Sequence, residues 1–377
     1  MTGPWPWKKS RMSANLSESV PRLKRMVPRM RGKRIAVVGD LMLDRYLWGT
    51  ASRLSPEAAV PIVDFVEQTD CLGGAGNVAA NLAALGARVE MFGVIGGAGS
   101  SGGNDAADEP GAVVRHRLRA ANIIDKGVLA DPKRITTVKT RIIARHQHIV
   151  RVDRERGEPL RSETEERVLR SLFSALKRLD TLVLSDYDKG LITDEFADRV
   201  LSACHRLKVP VFVGPKRSRL YAYRGAKAIV CNSKEAGQFV SQTLTDEKSV
   251  EEVGRALLAH FGCEAVLITR GENGMSLFEE SSPRHLNIPA TSFEVTYARV
   301  GQAGIDRAAT GRQVFDVTGA GDTVLSVLAL AAAAGASLPD AAVLANIAAG
   351  VVVGKLGTAS VSPAELHYAL DELRREA

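Results

Sequence analysis

Near the end of the chain, Gly319, Ala320, Gly321 and Asp322 bring three small residues up to a carboxylate, and the apolar stretch "TVLSVLALAAAAGA" follows at once. A turn of tiny residues at a helix start leaves backbone N–H groups pointing outward. The helix dipole adds to their pull on an anion. Glycine lets that backbone approach a phosphate closely. Phosphoryl transfer asks the protein mainly to position the groups and to stabilise charge on the transferred phosphate. It also needs one carboxylate to accept the proton of the attacking hydroxyl, and Asp322 stands beside the cradle. The plainer alternative is that Asp322 only caps the helix behind it.

Three weaker signals accompany this one. In "CLGGAGNVAANLAALGA" (71–87), Gly73, Gly74 and Gly76 give a pliable backbone, and Asn77 offers both donors and an acceptor. That mixture suits a sugar, although Gly-rich turns before helices are common. In "GDLMLDRY" (39–46), Asp40 and Asp44 follow the first strand, where paired carboxylates can hold sugar hydroxyls. Either could instead cap a helix or pair with Arg45 or Arg53. Lys139, Arg141 and Arg145 share one parity of a β-like segment and therefore one face of it, a basic stripe that suits a phosphorylated substrate or is simply solvated.

The elements that must position these residues alternate. Short apolar runs at 34–39, 88–96, 181–187, 209–215, 226–232 and 264–271 read as buried strands. Helical periodicity covers "VAANLAALGA" and roughly 160–178, 194–207 and 247–261. This predicts an α/β domain with a mostly parallel central sheet flanked by helices. Its ligands belong beyond the carboxyl ends of the strands, where Asp40, Ser185, Asp186, Asn232, Arg270 and Gly271 fall. Residues 44–68 and 134–155 break the alternation and predict a small projecting β-sheet lid, the second segment turning near Arg145–His146–Gln147. Residues 96–111 and 291–313 have no clear period and read as loops or insertions.

Composition narrows the class further. With 377 residues, 45% hydrophobic and 25% charged, the chain can bury a large core. The net charge is +7, yet residues 1–34 alone carry ten Lys and Arg against Glu18. The remainder is slightly acidic, which argues against a nucleic-acid-binding body. Residues 1–33 are expected to form a basic extension, part disordered and part helical, ahead of a single α/β domain at 34–377. Cys71, Cys204, Cys231 and Cys263 form no CxxC pair and suit free thiols in a reducing cytoplasm. No secretory signal or membrane-length apolar run is present.

Taken together, "GGAGNVAANLAALGA" and "DVTGAGD" make the chain similar to the ribokinase-like sugar kinases, also called the phosphofructokinase B type. Within that family "SRLSPEA", "TVKTRIIARHQHIVRVD" and "SDYDKG" resemble the kinases of heptose 7-phosphate, and the matching stretches span most of 34–363. The resemblance implies a ribokinase-like fold and ATP-dependent phosphorylation of an anomeric hydroxyl with Mg²⁺, and K⁺ in many relatives. It also implies a homodimer formed through the lid. By resemblance, Asp322 is the base and Gly319, Ala320 and Gly321 form the anion hole. Asp40, Asp44, Gly74 and Asn77 hold the sugar. Asn232 and Glu235 form an NxxE motif organising Mg²⁺ and phosphates. Thr269, Arg270, Gly271, Thr318 and Asn346 border the nucleotide, and Asp316 helps hold a monovalent cation. Lys139, Arg141, Arg145 and Lys189 are the candidates for the substrate's distal phosphate.

The chain departs from that pattern at Gly214-Pro215-Lys216, where the heptose kinases usually have Asp-Pro-Lys, and full activity is in question there. No His-x-Gly-His nucleotidyltransferase signature follows the kinase region, so a second enzyme would complete the pathway. Another sugar or phosphosugar as substrate, or a catalytically weakened ligand-binding relative, are the alternatives. Gly97–Gly102 matches a dinucleotide fingerprint by letter only, because no helix opens inside it, and 350–357 is no P-loop.

Overall fold

The computed structural model describes residues 11–99, 106–144, 147–216, 222–291, 317–355 and 357–376. The main strands are β1 (Arg34–Gly39), β4 (Arg88–Gly96), β5 (Ile124–Asp131), β8 (Thr181–Ser185), β9 (Val211–Gly214), β10 (Ala228–Asn232), β11 (Ala265–Thr269), β12 (Met275–Glu279) and β13 (Leu286–Ile288). They form one sheet in the order β13-β12-β11-β10-β9-β8-β1-β4-β5, in which β12 pairs antiparallel with both β11 and β13 and every other neighbouring pair is parallel. Along β1, Ile35 and Val37 enter one core while Ala36 and Val38 enter the other. Side chains of a strand alternate between faces, so a sheet covered on both sides reads as a continuous apolar run.

One face carries α1 (Arg11–Met26), α2 (Ala75–Ala84), α3 (Glu109–Ala120), α8 (Ala320–Ala333), α9 (Leu338–Val352) and α10 (Pro363–Glu376). The other carries α4 (Ser162–Ala175), α5 (Asp194–Leu207), α6 (Ser233–Val240) and α7 (Glu247–Phe261). The periodicity of 194–207 and 247–261 matches α5 and α7 in full. Helix α8 is apolar on every side because it lies between the sheet, α2 and α9. Fully buried Leu328 holds it there, and Leu328→Ala would cost about 2–5 kcal/mol and unseat the segment that carries Asp322.

The basic N-terminal segment is packed rather than trailing. Val20, Leu23, Met26, Val27 and Met30 are buried against the α8–α10 side, and Arg22 and Lys24 pair with Asp340 and Asp371. Residues 19–33 are thus part of the domain; residues 1–10 lie outside the described residues.

The lid is a second, four-stranded sheet of β2 (Leu41–Leu54), β3 (Pro61–Gly74), β6 (Thr137–Ala144) and β7 (Gln147–Arg154), in the order β3-β2-β6-β7. Its central pair β2–β6 is parallel and both flanking pairs are antiparallel. Its strands start closer to the main sheet than the segment 44–68 suggested. β2 leaves β1 after Asp40 alone, and β3 runs into α2 through Gly74. Gly74 has φ +56°, and a side chain there would meet the Asp40 carbonyl oxygen at 2.6 Å. Of the two expected loops, residues 100–105 and 292–316 lie outside the described residues. Between them the sequence reading passed over α3, which Asp108 caps by accepting the Gly111 N–H at 2.9 Å.

Candidate active site

A cleft of about 310 Å³ lies between the carboxyl ends of the main strands and the inner face of the lid. Its floor is Ser185, Asp186, Gly214, Asn232 and Thr269; one wall is Thr318, Gly319, Gly321 and Asp322; the other is Asp44, Lys139, Arg141 and Arg151. The fold explains the meeting. Strands β8, β9, β10 and β11 are neighbours and end together, and β2 continues from β1 so that the lid overhangs that edge.

The helix α8 end is built as an anion cradle requires. Gly319 is the N-cap, with φ +82°, and an added Cβ would lie 2.7 Å from Asn77 Nδ2. Only glycine fits this left-handed, crowded position. Gly321 faces open space with nothing within 4 Å of a would-be Cβ, so the N-terminal amides look into the cleft.

Asp322 is held at both oxygens. Asn77 Nδ2 donates to Oδ2 at 2.7 Å, and the Tyr187 phenol donates to Oδ1. Burial pushes its carboxyl up to about 6. The bonds from Tyr187 and Asn77 oppose that rise, nearby Asp44 adds to it, and Lys216 opposes it. A carboxylate poised there is a competent base near neutral pH. Behind it, Asn77 is fixed by Asn81, whose Nδ2 donates to the Asn77 carbonyl at 2.9 Å and which accepts from Thr323 Oγ1 at 3.1 Å. Helices α2 and α8 are thereby locked through polar contacts that end at Asp322.

On the lid, cross-strand register sets the charges. Asp44, Lys139 and Asp153 form one row across β2, β6 and β7; Tyr46, Arg141 and Arg151 form the next. Buried Arg141 pairs with Asp44 and stands 5.3 Å over the Tyr46 ring. Lys139 pairs with Asp153 at 3.2 Å and Glu155 at 3.0 Å, and Arg151 with Asp153 at 2.9 Å.

The structure brings Asp44, Gly74, Lys139, Arg141, Asn232, Glu235, Thr269, Thr318, Gly319, Gly321 and Asp322 to the cleft, with Asn77 behind Asp322 and Ala320 inside the first turn of α8. Other expected residues lie elsewhere. Asp40 does not face the cleft. It is buried beneath the loop after β8, accepting the amides of Tyr187, Lys189 and Leu191 at 3.0, 3.1 and 3.3 Å. Burial still raises its carboxyl despite those bonds. Lys189 is turned to Glu155 at 2.9 Å on the far side of that loop. Arg270 is drawn off to Glu247, Ser276 and Asn287. Asn346 is buried and donates to the Pro289 carbonyl at 2.8 Å, away from the cleft lining. Gly271 is exposed at the rim with φ +57°. Arg145 and Asp316 lie outside the described residues.

Three cleft residues escaped the sequence reading as site residues. Arg151 is opposite Arg141 in the β6–β7 register, a pairing that the expected turn near 145–147 already implied. Tyr187 sits in the quoted "SDYDKG" string but was counted as the last residue of a strand. Lys216 belongs to the Gly214-Pro215-Lys216 stretch; its ammonium pairs with Glu235 and lies 5.5 Å over the Tyr187 ring.

Asn232 and Glu235 form a capping box on α6. The Glu235 N–H donates to Asn232 Oδ1 at 2.9 Å, and the Asn232 N–H to Glu235 Oε2 at 3.0 Å. Among the described residues no group of three or more His, Cys, Asp or Glu could hold a metal by itself. One carboxylate, already engaged by a lysine and an amide, fits a magnesium ion bound mainly through nucleotide phosphates and water, with Glu235 reaching it at most through water.

A parallel sheet with an anion cradle, a poised carboxylate and a hinged-over basic lid defines a phosphotransferase acting on a small hydroxyl compound. The chain belongs to the pfkB family carbohydrate kinases, whose model matches residues 33–365. It is an ATP-dependent sugar kinase. It is 42% identical over 344 residues to the Bifunctional protein HldE of Geotalea uraniireducens, with 91% of this chain aligned, and 43% identical over 330 residues to the protein of that name from Geobacter metallireducens, with 88% aligned. It spans 64% and 61% of the length of those two relatives. The fold is that of Arabidopsis thaliana ribokinase complexed with ribose and ATP, with a TM-score of 0.64 at 16% identity, covering 91% of this chain and 99% of that one. Escherichia coli phosphofructokinase-2 in complex with potassium superposes with a TM-score of 0.67, also at 16% identity and with the same coverage of both chains. No helix among the described residues is long and apolar enough to cross a membrane.

Proposed function

We propose that the protein transfers the γ-phosphoryl group of ATP to the anomeric hydroxyl of D-glycero-β-D-manno-heptose 7-phosphate, giving the 1,7-bisphosphate used in ADP-heptose synthesis. The observation that carries the substrate class is the wall facing Asp322. Three cations (Lys139, Arg141 and Arg151) line that wall beside one carboxylate, Asp44, while Asp153 and Glu155, which pair with Lys139 and Arg151, stand outside the cleft lining. A surplus positive charge a few strands from the base suits a sugar that carries its own phosphate. The bifunctional relatives at 42% and 43% identity point the same way.

In this reading the sugar lies between Asp44, Gly74 and Asn77, with its phosphate toward Lys139 and Arg151. Asp322 Oδ1 takes the hydroxyl proton as that oxygen attacks the γ-phosphorus. The amides of Gly319–Gly321 receive the charge gathering on the equatorial oxygens. Thr269, Asn232 and Lys216 border the triphosphate. Glu235 would help hold a magnesium ion through the nucleotide phosphates and water, and that ion would supply charge neutralisation to the leaving diphosphate. Potassium is proposed for the neighbourhood of Asp316, in keeping with the potassium complex of the phosphofructokinase-2 relative.

The lid exposes Leu54, Phe65, Val66, Val150 and Val152, an apolar face that supports a homodimer formed lid to lid. Four free cysteines, three of them buried, suit a cytoplasmic enzyme. The deciding experiment is an ADP-release assay over a panel of sugars and sugar phosphates. Turnover with heptose 7-phosphate and little with unphosphorylated heptose is expected; equal turnover of both would remove the phosphate-reading role of the lid.

A further inference from the structure

We propose that Tyr187 is the positioning residue for the catalytic base, occupying the place of the acceptor hydroxyl on Asp322 until the sugar arrives, and that Asp40 fixes Tyr187 from beneath. The proposal rests on the reading of Asp322 as the base. The two oxygens of Asp322 have different partners. Oδ2 receives Asn77, a buried amide locked into α2 by Asn81. Oδ1 receives an O–H group, the Tyr187 phenol, from a loop that lines the cleft. An acceptor alcohol must present the same kind of donor to the same carboxylate before it can lose its proton, so the phenol rehearses the substrate's contact.

Two features make this contact a built one. The loop is held at three amides by the single carboxylate of Asp40, and turns tightly through Asp188 at φ +57° and Gly190 at φ +91°. The Tyr187 ring is also covered by the Lys216 ammonium, itself paired with Glu235. The phenol thus sits between the base and the phosphate-side lysine, supported from below by a buried residue outside the cleft lining. Its own ionisation is pushed well above the usual tyrosine range, first by burial and then by Asp322, so it acts as a neutral donor and never as the base. The groups facing Asp322 are Asn77 from α2, Asp44 from β2, Lys216 from the loop after β9 and Tyr187 itself; Glu235 from α6 faces Tyr187. Of these, Tyr187 and Asn77 are the direct donors that favour the charged carboxylate.

Tyr187→Phe removes one O–H and little else. The acid limb of kcat/KM is expected to move to higher pH, with activity falling several-fold more at about pH 6 than at about pH 8 while the KM for ATP stays put. A merely structural role would lower activity evenly across pH. The same shift is read without substrate by titrating ¹³C-labelled aspartate carboxyls, with Asp322→Asn assigning the signal. Asp40→Asn should move the midpoint the same way and by less. A wild-type midpoint in Tyr187→Phe beside an inactive Asp322→Asn overturns the positioning role alone. Undiminished turnover in Asp322→Asn overturns the base assignment, and the catalytic meaning of the contact with it.

Discussion

The two walls of the cleft present positive charge by opposite means. The α8 wall uses backbone: a glycine cap in the left-handed region, a second glycine facing open space, and a first turn whose amides are fixed by the helix. The lid wall uses side chains, each cation already paired with a carboxylate, Lys139 and Arg141 across neighbouring strands and Arg151 within its own. Amides pre-aimed by a buried helix need no rearrangement when charge develops, which is what transition-state stabilisation requires. Paired side chains must exchange one partner for another, which suits ground-state recognition of a substrate. The division predicts that lesions in the first wall lower kcat and lesions in the second raise KM.

The largest expected effect is at the junction of cradle and base. Asp322→Asn keeps the shape and the Asn77 contact region but removes the proton acceptor, and kcat should fall about 10²-fold or more. With the carboxyl raised to about 6, the wild-type base is charged above that value and is lost as pH falls through it. A pH profile of kcat/KM should therefore bend downward on the acid side near there. A profile flat through that region would detach the proton step from this residue. Gly319→Ala comes next: the left-handed φ and the 2.7 Å approach to Asn77 both forbid the methyl group, so kcat should drop with ATP affinity less affected.

How much of this contrast could be read from the sequence follows from its physics. The α8 wall was legible because its means are local: small residues, a carboxylate and a helix lie within one stretch, and the strand alternation fixed where that stretch must sit. The lid wall was half legible. Parity put Lys139 and Arg141 on one face, but Arg151 emerges only when the hairpin register is laid out, and Lys189 is turned behind the loop by Glu155. Asp40 lies outside the cleft lining for a different reason. A carboxylate after the first strand can face ligand or loop, and the three amides that claim it come from residues about 150 positions away. The same distance hid Tyr187 from any local pattern.

The lid half of the contrast is sharpened at Arg151. Its side chain is more than half exposed and pairs with Asp153 at 2.9 Å, so its removal leaves no buried charge behind. Arg151→Ala should keep the fold and kcat but raise the KM for a phosphorylated sugar about tenfold, with little change for an unphosphorylated one. Arg141→Ala is the harsher comparison. It strands Asp44 in a buried setting and should cost about 3–5 kcal/mol of stability, a loss that a denaturant midpoint separates from any loss of binding. If Arg151→Ala lowered kcat and left KM alone, the assignment of recognition to this wall would fail.

The smallest effect belongs to a residue that stands between the two means, Asn232. Its side chain accepts the Glu235 amide as a helix cap, while its exposed position at the end of β10 also puts it in the cleft lining, where the proposed triphosphate would lie. Asn232→Ala should cost about 1 kcal/mol in unfolding free energy from the lost cap, measured by the urea midpoint. It also loosens Glu235, which the same box holds through the Asn232 N–H, and with it the partner of Lys216. Asn232→Ser separates the two jobs, because serine caps nearly as well but cannot reach a phosphate with an amide. Recovery of both stability and ATP affinity in the serine variant would make the residue a cap that orders Glu235 and place it with the backbone-built wall. Recovery of stability without affinity would make it a side-chain ligand, and the cleft would then recognise its nucleotide by the same means as its sugar.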